Sequence, residues 1–233
     1  MTDRQETPLL ASSRASALAR CCVAAVALYV AVDVLLAFLR PHDSLLYNAE
    51  SDYGRGPFFW VMDLNFLLRC ALTLALVGAL RLAFGAIALK RGLFLLTLWA
   101  LCSGLLALFA DDPEGQPLHG SGRIHVVLAF VAFVAVAIGT VLLSTALRSE
   151  PRYQSLSGVL LTLSSLGVVS LLVLGKTLGR HHAPGGLVER IFLGIELAWI
   201  VLAASPLALP AAGRRGPVGA GAVERGEGQP VSP

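Results

Sequence analysis

Residues 124–147 read IHVVLAFVAFVAVAIGTVLLSTAL, an apolar run that contains no Asp, Glu, Lys or Arg. A helix needs about 20 predominantly apolar residues to cross about 30 Å of hydrocarbon. This run is long enough to span a bilayer as a helix. It therefore indicates a transmembrane helix, and the rest of the chain repeats its pattern.

The composition of the whole chain fits the same interpretation. Hydrophobic residues make up 56% of the sequence and charged residues 14%, whereas soluble domains carry about 25% charged residues. We predict an all-α fold, a polytopic membrane helix bundle with six transmembrane helices. The predicted spans are about 17–39, 58–81, 92–110, 124–147, 156–175 and 187–208. Residues 1–16 are predicted to be an N-terminal tail, and residues 209–233, rich in Gly and Pro, a disordered C-terminal tail.

The basic residues predict the orientation of the bundle. Of the 18 Lys and Arg, eleven fall in the tails and in the loops on the same side, six fall on the other side, and Arg69 falls within a span. Short cytoplasmic loops carry an excess of Lys and Arg. Both termini are therefore predicted to be cytoplasmic, and the protein is predicted to be a multi-pass protein of the plasma membrane. The outer loops hold all five histidines, so we expect any chemistry to face outward.

Several functional classes have no support in the sequence. No basic cluster is interleaved with aromatic residues, so no nucleic-acid partner is expected. The four cysteines lie in or beside apolar runs, and no metal-ligand spacing occurs, so we expect neither a disulfide framework nor a metal or other cofactor. No His-x3-His helix and no Gly-x-Ser-x-Gly elbow is present. The sequence therefore favours a protein that is not an enzyme.

Four ionisable residues fall within the predicted spans: Asp33, Asp63, Arg69 and Glu196. A central Arg or Asp costs about 2.5–3.5 kcal/mol on insertion scales, so these side chains should face the bundle interior. At about 1.5 Å of rise per residue, Arg69 and Glu196 lie at the most similar depths. We therefore predict that they form a buried pair that joins the second span to the sixth.

Further polar residues lie where the spans emerge on the outer side. They predict an outward-facing pocket between the second, fourth and sixth spans, for which the candidate residues are Ser51, Asp52, Asp63, Asp112, His125, Glu189, Arg190 and Trp199. Membrane lipids are the expected partners, and a lipid headgroup or a small polar ligand is the expected occupant. An accessory role beside another protein is a further interpretation of the same pattern.

Three stretches resemble a known family: SDYGRGPFFWVMDLNF, FADDPEGQPLHGSGRIHVVLAF and GGLVERIFLGIELAW. They are similar to motifs of the prokaryotic six-span membrane family catalogued as domain of unknown function 998. The matching residues are Ser51, Asp52, Gly54, Asp112, Pro113, Gly122, His125, Gly186, Leu187, Arg190 and Trp199. The resemblance implies six helices and residence in the membrane, and it brings no established activity. Ser121 stands where many members carry a His, and Arg69 where they carry a small or weakly polar residue.

Two other functions stay open from the sequence alone. One is an intramembrane hydrolase that uses Asp112 and His125, with or without a metal ion that activates water. The other is a proton-linked transporter that uses Asp33, Asp63 and Glu196.

Overall fold

The computed structural model describes the backbone of residues 3–85, 89–113, 116–117, 119–177 and 183–209, with side chains from Ser12 onward. Within these ranges the chain forms α-helices and two short 3-10 helices, at Glu50–Gly54 and Pro151–Tyr153, and contains no strand. The α-helices are α1 (Asp3–Leu39), α2 (Phe59–Phe84), α3 (Lys90–Leu106), α4 (Gly120–Leu147), α5 (Ser157–Thr177) and α6 (Gly185–Ala208). The predicted all-helical fold is confirmed.

Five of the six helices found in the described ranges are long and apolar enough to cross a membrane: the Ser12–Leu39 part of α1, and α2, α4, α5 and α6. The chain is therefore a multi-pass membrane protein built as a helical bundle. The remaining helix, α3, has 17 residues, which corresponds to about 25 Å at 1.5 Å per residue. That is slightly shorter than the hydrocarbon core of about 30 Å.

Two helix ends differ from the predicted spans. Helix α1 begins at Asp3 and so extends through the segment that was predicted to be a tail. Ala, Leu, Arg, Gln and Glu predominate there, and all are strong helix formers, so the helix continues beyond the apolar run. Helix α3 ends at Leu106, short of the predicted end near 110. The predicted disordered tail beyond Leu209 lies outside the described residues.

The helices pack as a closed ring. Each helix contacts its successor in the chain, and α6 returns to contact α1. Helix α3 runs antiparallel to α4 along most of its length. Gly92 of α3 packs against Gly139 and Leu143 of α4, while at the other end Phe109 accepts a hydrogen bond from His125.

We call the end of the bundle where α1 ends and α2 begins the mouth end. The opposite end is held by buried aromatic side chains with satisfied polar atoms. Trp199 Nε1 donates to Ser144 Oγ at 2.8 Å, and Ser144 Oγ donates to the Leu160 carbonyl at 3.1 Å. The Tyr153 hydroxyl donates to the Ala203 carbonyl at 2.6 Å. These bonds join α4, α5 and α6 there, so any opening between α4 and α5 lies toward the mouth end.

Candidate functional site

The loop between α1 and α2 forms one wall of the mouth end and is held by its own charged residues. Arg40 Nη1 donates to the carbonyl oxygens of Asp52 at 3.1 Å and Tyr53 at 3.2 Å, and to that of Arg55. The Asp52 carboxylate accepts from the Ala49 backbone N–H at 2.9 Å and pairs with Arg55. Asp52 is thus occupied in fixing the loop.

The first turn of α6 fastens this loop to the bundle. Arg190 Nη1 donates to the Asn48 carbonyl at 2.7 Å, and the Leu187 backbone N–H donates to the Leu46 carbonyl at 3.1 Å. Gly186 lies so close to Asn48 that a Cβ there would be 2.7 Å from the Asn48 carbonyl carbon. Only glycine permits this approach.

Tyr53 belongs to the same loop, and its side chain is fully buried. The guanidinium carbon of Arg40 lies 5.7 Å from the centre of its ring, and that of Arg190 5.5 Å, within the range of cation–π attraction. Burial raises the pKa of Tyr53 above its usual value because the charged phenolate is poorly solvated there.

The segment between α3 and α4 forms a second wall. The backbone N–H of His119 donates to the Asp112 carboxylate, which holds the pKa of that carboxyl below its usual value. A Cβ at Gly122 would collide with the same carboxylate, so Gly122 makes room for Asp112. His125, one turn further along α4, directs Nδ1 to the Phe109 carbonyl at 2.7 Å.

A buried network surrounds Arg69, which is 2% exposed. Its Nε donates to Ser103 Oγ at 3.1 Å and its Nη1 to the Tyr29 hydroxyl at 3.1 Å. The Tyr29 hydroxyl in turn donates to the Glu50 carboxylate. The guanidinium also lies 5.2 Å from the centre of the Phe66 ring. Arg69 therefore joins α1, α2, α3 and the 3-10 helix of the loop.

The predicted pair between Arg69 and Glu196 does not form. Glu196 is fully buried, and neither carboxylate oxygen has a hydrogen-bond partner in the described part of the chain. Its side chain lies against Gly167 of α5, with the Thr140 side chain of α4 close by. The prediction matched the two residues by depth, but depth does not determine which neighbour a side chain faces. Arg69 faces α1 and α3, whereas Glu196 faces α4 and α5.

A cavity of about 430 Å³ opens at the mouth end, within the usual size range of ligand pockets, about 300–1,000 Å³. Its polar lining comes from the two loops, α2, α4 and α6: Glu50, Ser51, Arg69, Asp111, His125 and Glu189. Its apolar lining comes mainly from residues 126–134 of α4 and 171–175 of α5. The surface of the cavity is thus mostly apolar, and a few polar groups form the rest of it.

Two lining residues offer polar atoms to a ligand. His125 is 3% exposed, and its Nε2 has no hydrogen-bond partner in the described part of the chain. Glu189 is 9% exposed and belongs to none of the ion pairs found among the described residues. Glu50 and Asp111, by contrast, accept from Tyr29 and from the Asp112 backbone respectively. In the described part of the lining, Glu189 and His125 therefore both offer an acceptor to a ligand.

Three of the eight candidate residues from the sequence line the cavity, and the other five do not. Ser51, His125 and Glu189 line the cavity. Asp52, Asp112 and Arg190 hold the surrounding loops, and Trp199 packs at the opposite end with Ser144. Asp63 does not line the cavity.

Glu50 and Asp111 were not among the predicted pocket residues, and Arg69 was assigned to a structural pair; all three line the cavity. Glu50 and Asp111 each precede a candidate residue directly, Ser51 and Asp112, so the neighbouring position was the available signal. Which of two adjacent residues faces a cavity depends on the loop conformation, which the residue order alone does not determine.

The hydrolase hypothesis gains nothing from this geometry. The Asp112 carboxylate is hydrogen-bonded to the His119 ring, and His125 donates to the Phe109 carbonyl. Both side chains therefore already have partners within the protein. Among the described residues, no group of three or more His, Cys, Asp or Glu is placed to hold a metal ion.

The family model for proteins of unknown function, DUF998, matches residues 23–206, most of the chain. The match confirms the family resemblance drawn from the three sequence motifs. Searches of the curated proteins and of the solved structures found no match to this chain.

Proposed function

Because this chain belongs to the DUF998 family of proteins of unknown function, whose members share no assigned activity, we propose its function from the mouth-end cavity alone. The protein binds a membrane lipid, with the headgroup against Glu189 and His125 and an acyl chain along α4 and α5. Binding of this kind suits a lipid-recognition or accessory protein of the membrane.

The observation that carries the proposal is the mostly apolar lining of the cavity, which includes a few polar groups and opens at the side of the bundle. Phe130 and Leu172, which belong to the apolar lining, are 67% and 65% exposed. The cavity therefore reaches the outer surface of the bundle between α4 and α5, which faces hydrocarbon in a membrane helix bundle. A water-soluble polar ligand gains nothing from this apolar opening, whereas an amphiphile contacts both the apolar lining and the polar groups.

The length of the groove agrees with an acyl chain. His125 and Val134 both line the cavity, and nine residues of helix correspond to about 14 Å at 1.5 Å per residue. One leaflet of hydrocarbon is about 15 Å thick, half of the bilayer core. A lipid with its headgroup at His125 would therefore keep its chain at the depth that it has in the bilayer.

We propose further that α3 is a sixth crossing, that both termini are cytoplasmic, and that the mouth end faces outward from the plasma membrane. The antiparallel packing of α3 along α4 supports the sixth crossing. The distribution of Lys and Arg supports the orientation. The lipid would then come from the outer leaflet.

Filling the groove tests the proposal. A Cβ at Gly175, which lines the cavity on α5, meets no atom within 4 Å, so Gly175→Trp places an indole in the groove without a clash at its base. Gly158→Trp is the matched control, because Gly158 lies on the same helix at the opposite end and is equally unobstructed. Retained lipid is measured by native mass spectrometry after delipidation and incubation with phospholipid vesicles.

We expect wild type and Gly158→Trp to retain lipid equally and Gly175→Trp to lose at least about tenfold in affinity, or about 1.4 kcal/mol. Equal retention by all three proteins would contradict the proposal, and so would an absence of retained lipid on wild type.

A proton-linked transporter is the second candidate, and Glu196 is the observation that favours it. A fully buried carboxylate without a hydrogen-bond partner is costly unless it binds a proton or a cation. Along α6, Phe192 lies between Glu189 and Glu196. Its ring centre is 5.0 Å from that of Phe133. Proton flux into liposomes that was unchanged by Glu196→Gln would exclude this role for the residue.

A further inference from the structure

We infer that the lipid headgroup taken by the mouth-end cavity carries a primary ammonium group. This inference rests on the proposed lipid-binding function and adds the chemical class of the headgroup. It follows from the charges around the cavity, from the acceptors that Glu189 and His125 offer in its lining, and from the donors that those acceptors require.

The Glu189 carboxylate lies among both carboxylates and guanidinium groups. It interacts electrostatically with Arg69, Arg190, Glu50 and Asp52, Asp33 joins the same group, and Asp52 is paired with Arg55. Glu189 itself belongs to none of the ion pairs found among the described residues. A cationic ligand would supply that partner, and opposite charges attract strongly where water is scarce.

The guanidinium groups are already engaged elsewhere. Arg69 donates to Ser103 and Tyr29 and packs on Phe66. Arg190 donates to the Asn48 carbonyl and Arg55 pairs with Asp52. An anionic headgroup would therefore meet the carboxyl groups of Glu189 and Asp111, and cations whose hydrogen bonds are made to the protein.

Glu189 and His125 both offer acceptors to a ligand in the cavity. At 2.7 Å from a carbonyl oxygen, His125 Nδ1 must carry a hydrogen and donate it, so in the neutral ring Nε2 holds a lone pair. The Glu189 carboxylate is acceptor-only when it is ionised. Buried acceptors that lack a donor are destabilising, and a ligand with N–H groups would remove that cost.

A primary ammonium meets both requirements. It supplies one positive charge for the Glu189 carboxylate and three N–H donors, which suit acceptors such as that carboxylate and His125 Nε2. A quaternary ammonium supplies the charge without donors, and a glycerol headgroup supplies donors without the charge. Three lipids that differ only in this group therefore distinguish the contributions.

The test measures headgroup selectivity on the full-length protein. Delipidated protein is incubated with vesicles of equal parts phosphatidylethanolamine, phosphatidylcholine and phosphatidylglycerol with identical acyl chains, and retained lipid is counted by native mass spectrometry. We expect phosphatidylethanolamine to be enriched about tenfold over each of the others, about 1.4 kcal/mol. Glu189→Gln should abolish the enrichment, and Glu150→Gln, at the opposite end of the bundle, should keep it.

The outcomes separate this inference from the proposed function. Equal retention of the three lipids that is lost in Gly175→Trp would overturn the ammonium assignment and support lipid binding. Enrichment of phosphatidylglycerol, or enrichment that survives Glu189→Gln in a protein with the wild-type melting temperature, would also overturn the assignment. Full displacement by equimolar glycerophosphoethanolamine, which has no acyl chains, would support the ammonium class and contradict a lipid ligand.

Discussion

At the scale of single residues, Arg69 shows what a sequence can predict about a buried charge. A guanidinium within an apolar span had to face the interior and find partners, and it does so. The partner depends on rotation about the helix and on the path of the loop, and neither follows from the depth of a residue in the membrane. Arg69 is consequently bound to Tyr29 and Ser103, and Glu196 lies elsewhere without a hydrogen-bond partner in the described chain.

Arg69 and Tyr29 should therefore be energetically coupled. Arg69→Leu leaves Tyr29 and Glu50 without their cation and is expected to cost about 3–5 kcal/mol of unfolding free energy, as when one partner of a buried ionic network is removed. Tyr29→Phe breaks the bridge to Glu50. In a double-mutant cycle, unfolding in mixed micelles should give a coupling energy of about 1–3 kcal/mol for this pair.

The control cycle combines Arg69→Leu with Glu196→Leu. Their losses should add to within about 0.5 kcal/mol, as expected for independent sites. Strong coupling in the control cycle and additivity in the Tyr29 cycle would reverse the assignment of partners.

The cavity lining was predictable only in part. His125 and Glu189 were identified because an ionisable residue at the end of a span is conspicuous among apolar neighbours. Glu50 and Asp111 were not, because each lies in a polar loop where every residue is a similar candidate. The family motifs mark the residues that hold the loops, such as Gly186 and Arg190, at least as much as the residues that face the cavity.

At the scale of elements, the attachment of the first loop to α6 shapes the mouth end. The loop reaches α6 through the Arg190–Asn48 and Leu187–Leu46 hydrogen bonds, and Gly186 lets the two backbones meet. The polar wall of the cavity, including Glu50 and Ser51, belongs to this loop. The position of the loop therefore depends on the close contact between Gly186 and Asn48, which a methyl group at position 186 would break.

Gly186→Ala is expected to detach the loop from α6. The added Cβ would collide with the Asn48 carbonyl, a backbone group that cannot rotate away, so we expect a loss of about 1–3 kcal/mol in unfolding free energy, as for overpacking. Faster backbone hydrogen exchange at residues 45–53 would report the detachment.

Gly185→Ala provides the matched control one residue earlier. There the nearest atom to an added Cβ is Thr177 Oγ1 at 3.7 Å, an ordinary contact. This variant should be neutral or slightly stabilising, because Ala favours a helix over Gly by up to about 1 kcal/mol. Equal effects of the two substitutions would refute the close contact at Gly186.

At the scale of the whole molecule, the fold was largely predictable because hydrocarbon requires long apolar helices. The lengths of the apolar runs alone predicted the spans that correspond to α2, α4, α5 and α6. Helix α1 extends beyond its apolar run into a segment of helix-forming residues, and α3 is shortened by the turn that follows Leu106. The cavity that α4 and α5 line at the mouth end had no signal in the sequence, since it depends on how the helices pack.

The proposed topology predicts opposite accessibility at the two ends. In a background in which Cys21, Cys22, Cys70 and Cys102 are replaced by Ala, Tyr47→Cys lies in the exposed mouth-end loop and Ser149→Cys at the exposed opposite end. A membrane-impermeant maleimide should label position 47 in intact cells, and position 149 only after lysis. The reverse pattern would invert the orientation, and labelling of both in intact cells would contradict the placement of α3 as a crossing.

The central claim, that the mouth-end cavity holds a lipid, is tested most directly by an electron cryomicroscopy map of the protein in phosphatidylethanolamine nanodiscs. We expect headgroup density within hydrogen-bond distance of Glu189 and His125 Nε2, about 2.7–3.2 Å, continuous with acyl-chain density that leaves the bundle between Phe130 and Leu172. A map in which lipid density stays on the outer surface of the bundle and the cavity contains only isolated water peaks would contradict it.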